Sequence, residues 1–310
     1  MRLGVLDVGS NTVHLLVVDA QRGGHPMPTH SEKTVLRLAE HINAKGALSD
    51  GGAQALVTAV QAARDSARAL RCDDLLAFAT SAVRDAGNST AVLDRVRRKT
   101  GVDLQVLGGR DEARLTFLAV RRWFGWSAGR LIVMDIGGGS LELASGIDEV
   151  PDVAESLPLG AGRLTREHFV DDPPGRGAVE RLRTLVGEQL ADQAPKLLAA
   201  GKPDRAVATS KTLRTLARLT GAAPSKDGHR VARHLHLTGL RQLIAFVSRM
   251  AASDLAELEG VSSARSHQLL AGAVVAEATM EALAVPSVEV CPWALREGVI
   301  LRRLDWLDGA

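Results

Sequence analysis

Short apolar runs, most of them closed by Asp, Gly or Asn, alternate along the chain with longer stretches in which apolar residues return every three or four positions. The runs Leu3 to Leu6, Val13 to Val18, Leu75 to Ala79, Leu104 to Leu107, Leu131 to Met134 and Leu141 to Ala144 predict buried strands. The longer stretches predict helices over Asp50 to Arg71 with Asp50 as N-cap, over Ser89 to Thr100 between Asn88 and Gly101, and over Arg110 to Phe124. In the second half, the loop Asp171 to Gly175 precedes a long helical stretch, about Ala178 to Ala200, and then a short strand at Val207 and Ala208. From Thr238 onward the pattern is helical, broken by a strand at Ser287 to Val290 and closed by a helix from Trp293 to Leu307. Such alternation is that of an α/β protein.

One segment occurs twice. Leu3 to Leu6 runs into Asp7, Val8, Gly9, Ser10, Asn11 and Thr12, and a second apolar run follows. Leu131 to Met134 runs into Asp135, Ile136, Gly137, Gly138, Gly139 and Ser140, again followed by an apolar run, 128 residues further on. Strand, Asp-x-Gly turn and strand in two copies predict a duplicated, two-lobed chain. The lobes are expected to part near residue 125, giving 1–125 and 126–310, with the last helix, 293–307, a candidate to pack back on the first lobe.

Composition narrows the chemistry. A length of 310 residues supplies ample core, and 38 Lys and Arg against 36 Asp and Glu argue against holding nucleic acid by bulk charge. Aromatic residues at 3%, with no Tyr, leave no stock of stacking platforms. Cys72 and Cys291 match no disulfide or zinc spacing, which suits a reduced, cytoplasmic setting. The N-terminus lacks a signal-like apolar stretch, and the best membrane candidate, Leu269 to Val285, carries Glu277 and Glu281. The expectation is a cytoplasmic protein with neither membrane nor nucleic acid as partner.

Gly-rich turns between strands expose backbone N–H groups that form an anion nest suited to phosphate. The first turn offers Gly9, Ser10, Asn11 and Thr12, and the second Gly137, Gly138, Gly139 and Ser140. A tight hairpin turn is the plainer reading of either, but two matched copies, each with an Asp at the strand end, favour the ligand. Asp7 and Asp135 would repel a phosphate unless a divalent cation such as Mg²⁺ lies between, and Glu142 offers a third hard-oxygen ligand. Turn capping is the alternative for each Asp. Glu112 opens a helix, where an acidic residue ordinarily serves the macrodipole, and Arg84 either clamps a phosphate or decorates a loop. No P-loop, HExxH, GxSxG or dinucleotide fingerprint occurs, and the nine scattered histidines read as surface or structural residues.

Together, DVGSNT at 7 to 12, ATSAVRDAGN at 79 to 88, GGRDEARLTF at 108 to 117, MDIGGGSLEL at 134 to 143 and ALREG at 294 to 298 closely resemble the exopolyphosphatase and guanosine pentaphosphate phosphohydrolase family. The resemblance implies two ribonuclease-H-like lobes of the actin, Hsp70 and sugar-kinase class with a cleft between them. It implies an exopolyphosphatase that removes the terminal phosphate of inorganic polyphosphate, with Glu112 positioning the attacking water. By the same resemblance Asp135 and Glu142 serve the metal, Mg²⁺ or Mn²⁺, and the water, Arg84 clamps the substrate and Gly137 to Ser140 bind phosphate.

Many family members carry a further helical domain that has no counterpart in these 310 residues, so short chains are the expected substrate. Where the family has a Gly-Thr turn this chain has Ala208, Thr209, Ser210, Lys211 and Thr212, so Ser210 and Lys211 are candidates for substrate binding, Lys211 either meeting an inner phosphate or narrowing the cleft against a nucleotide base. Arg163, Arg166 and the run His229 to Arg241 either line a polyanion path or form a solvated basic face. The alternatives are hydrolysis of guanosine pentaphosphate, binding of other nucleotides, or a non-catalytic sensor of polyphosphate or nucleotide, against which Glu112 argues. A homodimer is implied at the level of the family alone.

Overall fold

A computed structural model of the chain describes residues 1–21 and 26–307. Two compact units emerge, one of Met1–Gly108 with Leu295–Ala310 and the other of Gly109–Ala294. The division falls ahead of the helix Gly109–Phe124, not behind it as the sequence suggested, because that helix packs on strands of the second unit's sheet. The last helix, Leu295–Leu307, groups with the first unit and packs on its central strand.

In the first unit the strands are β1 (Arg2–Val8), β2 (Thr12–Asp19), β3 (Pro28–Val35), β4 (Asp74–Ala79) and β5 (Gln105–Val106), in the order β3-β2-β1-β4-β5. Strands β1, β2 and β3 are antiparallel neighbours, while β4 and β5 continue parallel to β1. The second unit has β6 (Leu131–Ile136), β7 (Leu141–Gly146), β8 (Val153–Leu157), β9 (Arg205–Ala208), β10 (His234–His236) and β11 (Ser287–Val290), ordered β10-β11-β9-β6-β7-β8. Its β6, β7 and β8 are antiparallel and β9 and β11 are parallel to β6, so the first unit's strand scheme recurs with β10 added. The duplication seen in the two turns therefore extends to the whole sheet.

Strands β1 and β6 are central, buried on both faces, and read as continuous apolar runs. One core gathers Leu6, Val8, Val13 and Leu15 under Leu56 and Val60 of the helix Asp50–Ala69. The other gathers Met134, Ile136, Leu141 and Leu143 under Val274 and Val275 of Leu269–Ala282, a helix buried nearly all round.

Several local expectations shift. Ser49, not Asp50, caps the first long helix by accepting from the Gly52 N–H at 3.1 Å. The stretch read as Ala178 to Ala200 is two helices, Arg176–Ala191 and Ala194–Leu198, because Pro195 restarts the chain at the first turn of the second. Strand β3 escapes the sequence pattern because PTHSEKTV is a polar edge strand, and β8 because VAESL is half-exposed throughout.

Candidate functional site

In the second unit, the chain leaves β6 through Gly137, Gly138, Gly139 and Ser140, and the Gly137 N–H closes the turn on the Ser140 carbonyl at 2.9 Å. The Gly137 and Gly138 carbonyls accept from the N–H groups of Ala161 and Arg163 at the start of the helix Ala161–His168. In a trans peptide the N–H points opposite to the carbonyl, so the N–H groups of Gly138 and Gly139 are directed away from that helix. Gly160 makes this contact possible, since a Cβ there would lie 2.2 Å from the Gly139 carbonyl carbon. The turn is thus braced from behind and presents donors in front.

Beside it lies a row of oxygen-bearing side chains. Asp135 on β6 is paired directly with Glu142 on β7, and Glu142 with Ser156 on β8. The parallel register Met134 to Ala208 sets Thr209, just past the end of β9, level with Asp135. Directly opposed residues share one face of a sheet, so all four point the same way. The Thr209 hydroxyl donates to Asp135 Oδ2, and the Ser156 hydroxyl donates to Glu142 Oε1 at 2.8 Å. Glu142 is buried at 3% exposure. Turn capping, the alternative for Asp135, is therefore joined by a cross-strand partner and a fixed hydroxyl.

The helix Gly109–Phe124 lies on this same face. Gly146 shares the face with Ala144 and Glu142 by alternation, and a Cβ at Gly146 would lie 3.3 Å from Phe117 Cζ. The buried Arg121 fastens the helix by donating to the carbonyls of Gly125, Gly129 and Gly146, the latter two at 2.6 and 3.3 Å. Glu112 sits in the first turn, half-buried, on the helix that covers the carboxylate face. Arg110, two residues earlier, reaches Glu155 on β8 at 3.2 Å.

In the first unit the corresponding turn closes through the Gly9 N–H on the Thr12 carbonyl at 3.0 Å. The carbonyls of Ser10 and Asn11 accept from Ala39 and from Leu36 and Arg37, so the N–H groups of Asn11 and Thr12 are turned the other way. The Ser10 and Ser81 hydroxyls are 3.0 Å apart, which joins the turn to the short helix Ser81–Arg84. At the end of that helix Arg84 donates to Asp85 Oδ1 at 2.9 Å and to the Leu107 carbonyl at 3.3 Å. Asp7 is paired with His14 across β1 and β2, and Arg296 Nη1 lies 3.5 Å from Asp7 Oδ2. Arg296 also donates to His14 Nδ1, so the neutral ring carries its proton on Nε2, which faces Ser31 Oγ at 2.8 Å. Burial, then the charges of Arg296 and Lys33, lower the His14 pKa to about 3.

The remaining candidates divide. Ser210 adopts a left-handed backbone at φ 72°, and its Oγ accepts from the Leu213 N–H at 3.3 Å. Lys211 donates to the Gly260 carbonyl at 3.2 Å and lines a small pocket with Ser262, Arg265 and Gln268. All three arginines of the run His229 to Arg241 have partners in the fold: Arg233 donates to four carbonyls, Arg241 pairs with Glu281, and Arg230 lies over the Trp123 ring. Neither Cys72 nor Cys291 is in a disulfide. Among the described residues, no three His, Cys, Asp or Glu side chains form a group that would hold a metal ion alone.

Sequence reasoning passed over Thr209, Ser156, Arg265 and the part played by Arg296. Thr209 had a signal: Ala-Thr-Ser stands at 79–81 and again at 208–210, the spacing of the two Asp turns to within one residue. Arg296 lay inside a motif but its partners are 282 and 289 residues away, beyond any local pattern.

A model of the Ppx/GppA phosphatase family matches residues 17–306. Exopolyphosphatase 1 of Mycobacterium leprae is 64% identical over 305 residues, which cover 98% of this chain and 90% of that protein. Its namesake in Mycobacterium tuberculosis is also 64% identical, over 98% of this chain and 89% of that protein. In fold, the chain is similar to the crystal structure of an exopolyphosphatase from Cytophaga hutchinsonii, with a TM-score of 0.89 and 23% identity over 99% and 98% of the two chains. The Aquifex aeolicus Ppx/GppA family member superimposes with a TM-score of 0.83 and 23% identity over 100% and 99%.

Proposed function

The chain belongs to the Ppx/GppA phosphatase family, and from that premise we propose that it is an exopolyphosphatase releasing orthophosphate from the end of inorganic polyphosphate, short chains by preference. The observation that carries the reading is the carboxylate pair Asp135 and Glu142 beside a turn whose glycine N–H groups point outward. Like charges directly opposed across a sheet are destabilising, and an anion nest beside them adds nothing unless a cation joins the two. The donor set fits Mg²⁺ or Mn²⁺, hard ions that accept one or two carboxylates, keep several waters and take further oxygens from phosphate. When bound, the ion would polarise the phosphoryl oxygens and offset charge on the leaving phosphate.

Each side chain then has a part. Glu112 orients the attacking water in line with the terminal phosphorus, which the loose transition state requires more than full deprotonation. Gly138, Gly139 and Ser140 hold phosphoryl oxygens, with Gly137 spent on closing its turn as Gly9 is in the first unit, where Ser10, Asn11, Thr12 and Arg84 are the phosphate donors. Ser210 and Lys211 serve an inner phosphate, joined by Arg265, which lines one small pocket with Lys211. Asp7 stands apart, because Arg296 beside it already offsets its charge and makes it a poor ligand for a bare cation. Two cysteines outside any disulfide suit a cytoplasmic setting, and no described helix is long and apolar enough to cross a membrane. The homodimer is part of the reading and is checked by light scattering.

Phosphate release with Mg²⁺ from short polyphosphate, long polyphosphate, guanosine pentaphosphate and ATP tests the reading. Wild type should release phosphate fastest from short polyphosphate, and Glu112→Gln should lose about 10²- to 10⁴-fold in kcat with an unchanged melting curve. A strong preference for guanosine pentaphosphate would reassign the substrate, and binding without hydrolysis would make the chain a sensor.

A further inference from the structure

The hydroxyls at the two ends of the carboxylate row are placed to do more than fill the sheet. Thr209 is fully buried, its N–H held by the Met134 carbonyl at 2.9 Å and its hydroxyl by Asp135. Immediately after it the chain reverses through Ser210 at φ 72°, a conformation that side-chain-bearing residues seldom adopt, and enters the helix Ser210–Leu219. Backbone strain at the residue that follows Thr209 supports a role for the geometry it enforces. At the other end, β8 is an edge strand, and Ser156 is the residue its register sets opposite Glu142.

We propose that Thr209 and Ser156 are positioning residues, a neutral hydroxyl clamp that fixes one oxygen of Asp135 and one of Glu142 so that the pair is oriented for a divalent cation before the ion arrives. This rests on the phosphatase reading above. Hydroxyl donors suit the task because they lock a carboxylate's rotamer without cancelling its charge. A lysine or arginine in either place would compete with the metal. The first unit supplies the contrast, since there Asp7 lies level with Phe78 and its hydrogen-bonding cation is Arg296.

The test uses purified full-length protein, Mn²⁺ binding followed by electron paramagnetic resonance without substrate, and phosphate release as a function of Mg²⁺. Thr209→Val keeps the β-branched shape and removes the donor; it should weaken Mn²⁺ binding by about 10- to 100-fold and raise the Mg²⁺ needed for half-maximal release. Thr209→Ser restores the hydroxyl and should restore both. Ser156→Ala, at a half-exposed site, should shift both readouts in the same direction and decides the matter if Thr209→Val does not fold. Asp135→Asn is the control, expected to abolish Mn²⁺ binding and release. If both hydroxyl variants bind Mn²⁺ as wild type does while Asp135→Asn does not, the clamp is wrong and the phosphatase reading stands. If Asp135→Asn also binds and hydrolyses normally, the reading falls and takes the clamp with it.

Discussion

The two units repeat one strand scheme and end the same central strand with an aspartate, yet they surround that aspartate with opposite chemistry. Asp7 meets a neutral, buried His14 across the hairpin and a guanidinium from the last helix. Asp135 meets another carboxylate across the hairpin, and the partner level with it on the parallel side is a hydroxyl. The first has an arginine of the chain 3.5 Å away, whereas the second is proposed to gain a cation from solution. Duplication thus supplied two copies of an Asp-x-Gly turn, and on the proposed reading the residues opposite the aspartates separate a copy that would hold a metal from one that has an arginine beside it.

Mn²⁺ affinity measures that separation most directly and carries the largest effect expected. Asp135→Asn should abolish Mn²⁺ binding, and Glu142→Gln should weaken it by more than the roughly 10- to 100-fold expected of the hydroxyl variants. Asp7→Asn, on the same reading, should leave it at the wild-type value. Equal losses in all three variants would erase the distinction and restore Asp7 to the metal site.

Much of this was legible in the chain. The Asp-x-Gly turns, the central strands and the helix carrying Glu112 follow from apolar runs and glycine placement, which act over a few residues. What could not be read is register. In the first unit Val8 is level with Ala79, so Thr80 falls past Asp7; in the second Met134 is level with Ala208, so Thr209 falls beside Asp135. That two-residue offset between otherwise matching Ala-Thr-Ser segments comes from how whole strands pack, and no short window encodes it. The division between units shifted for a similar reason: Phe117 and Arg121 meet Gly146, on a strand that no short window around the helix contains.

Arg296 offers the next test, because the comparison makes it the first unit's substitute for a metal. Its side chain is about one-quarter exposed and that of Asp7 one-fifth, so removing it strands a largely buried carboxylate and an imidazole acceptor. Arg296→Met should cost about 2–3 kcal/mol, somewhat below the loss seen for fully buried pairs, and lower the melting temperature by several degrees. Mn²⁺ affinity should not move. A metal-binding loss with an unchanged melting curve would show instead that Arg296 serves the second unit's chemistry.

The smallest effect is a pH dependence. His14 is 3% exposed with a pKa lowered to about 3, first by burial and then by Arg296 and Lys33, whereas in the unfolded chain it titrates near 6.5. The unfolded state therefore takes up the proton first as pH falls, so the contribution of neutral His14 is fully present above about 6.5 and is lost as pH drops toward 3. At pH 5 the loss amounts to about 2 kcal/mol. His14→Gln keeps an acceptor for Arg296 and a donor for Ser31 but does not titrate, so denaturant midpoints at pH 7 and pH 5 should converge in the variant relative to wild type. An equal drop in both proteins would place the acid sensitivity elsewhere. It would also remove the reason for treating the Asp7, His14 and Arg296 cluster as a sealed counterpart of the open carboxylate row.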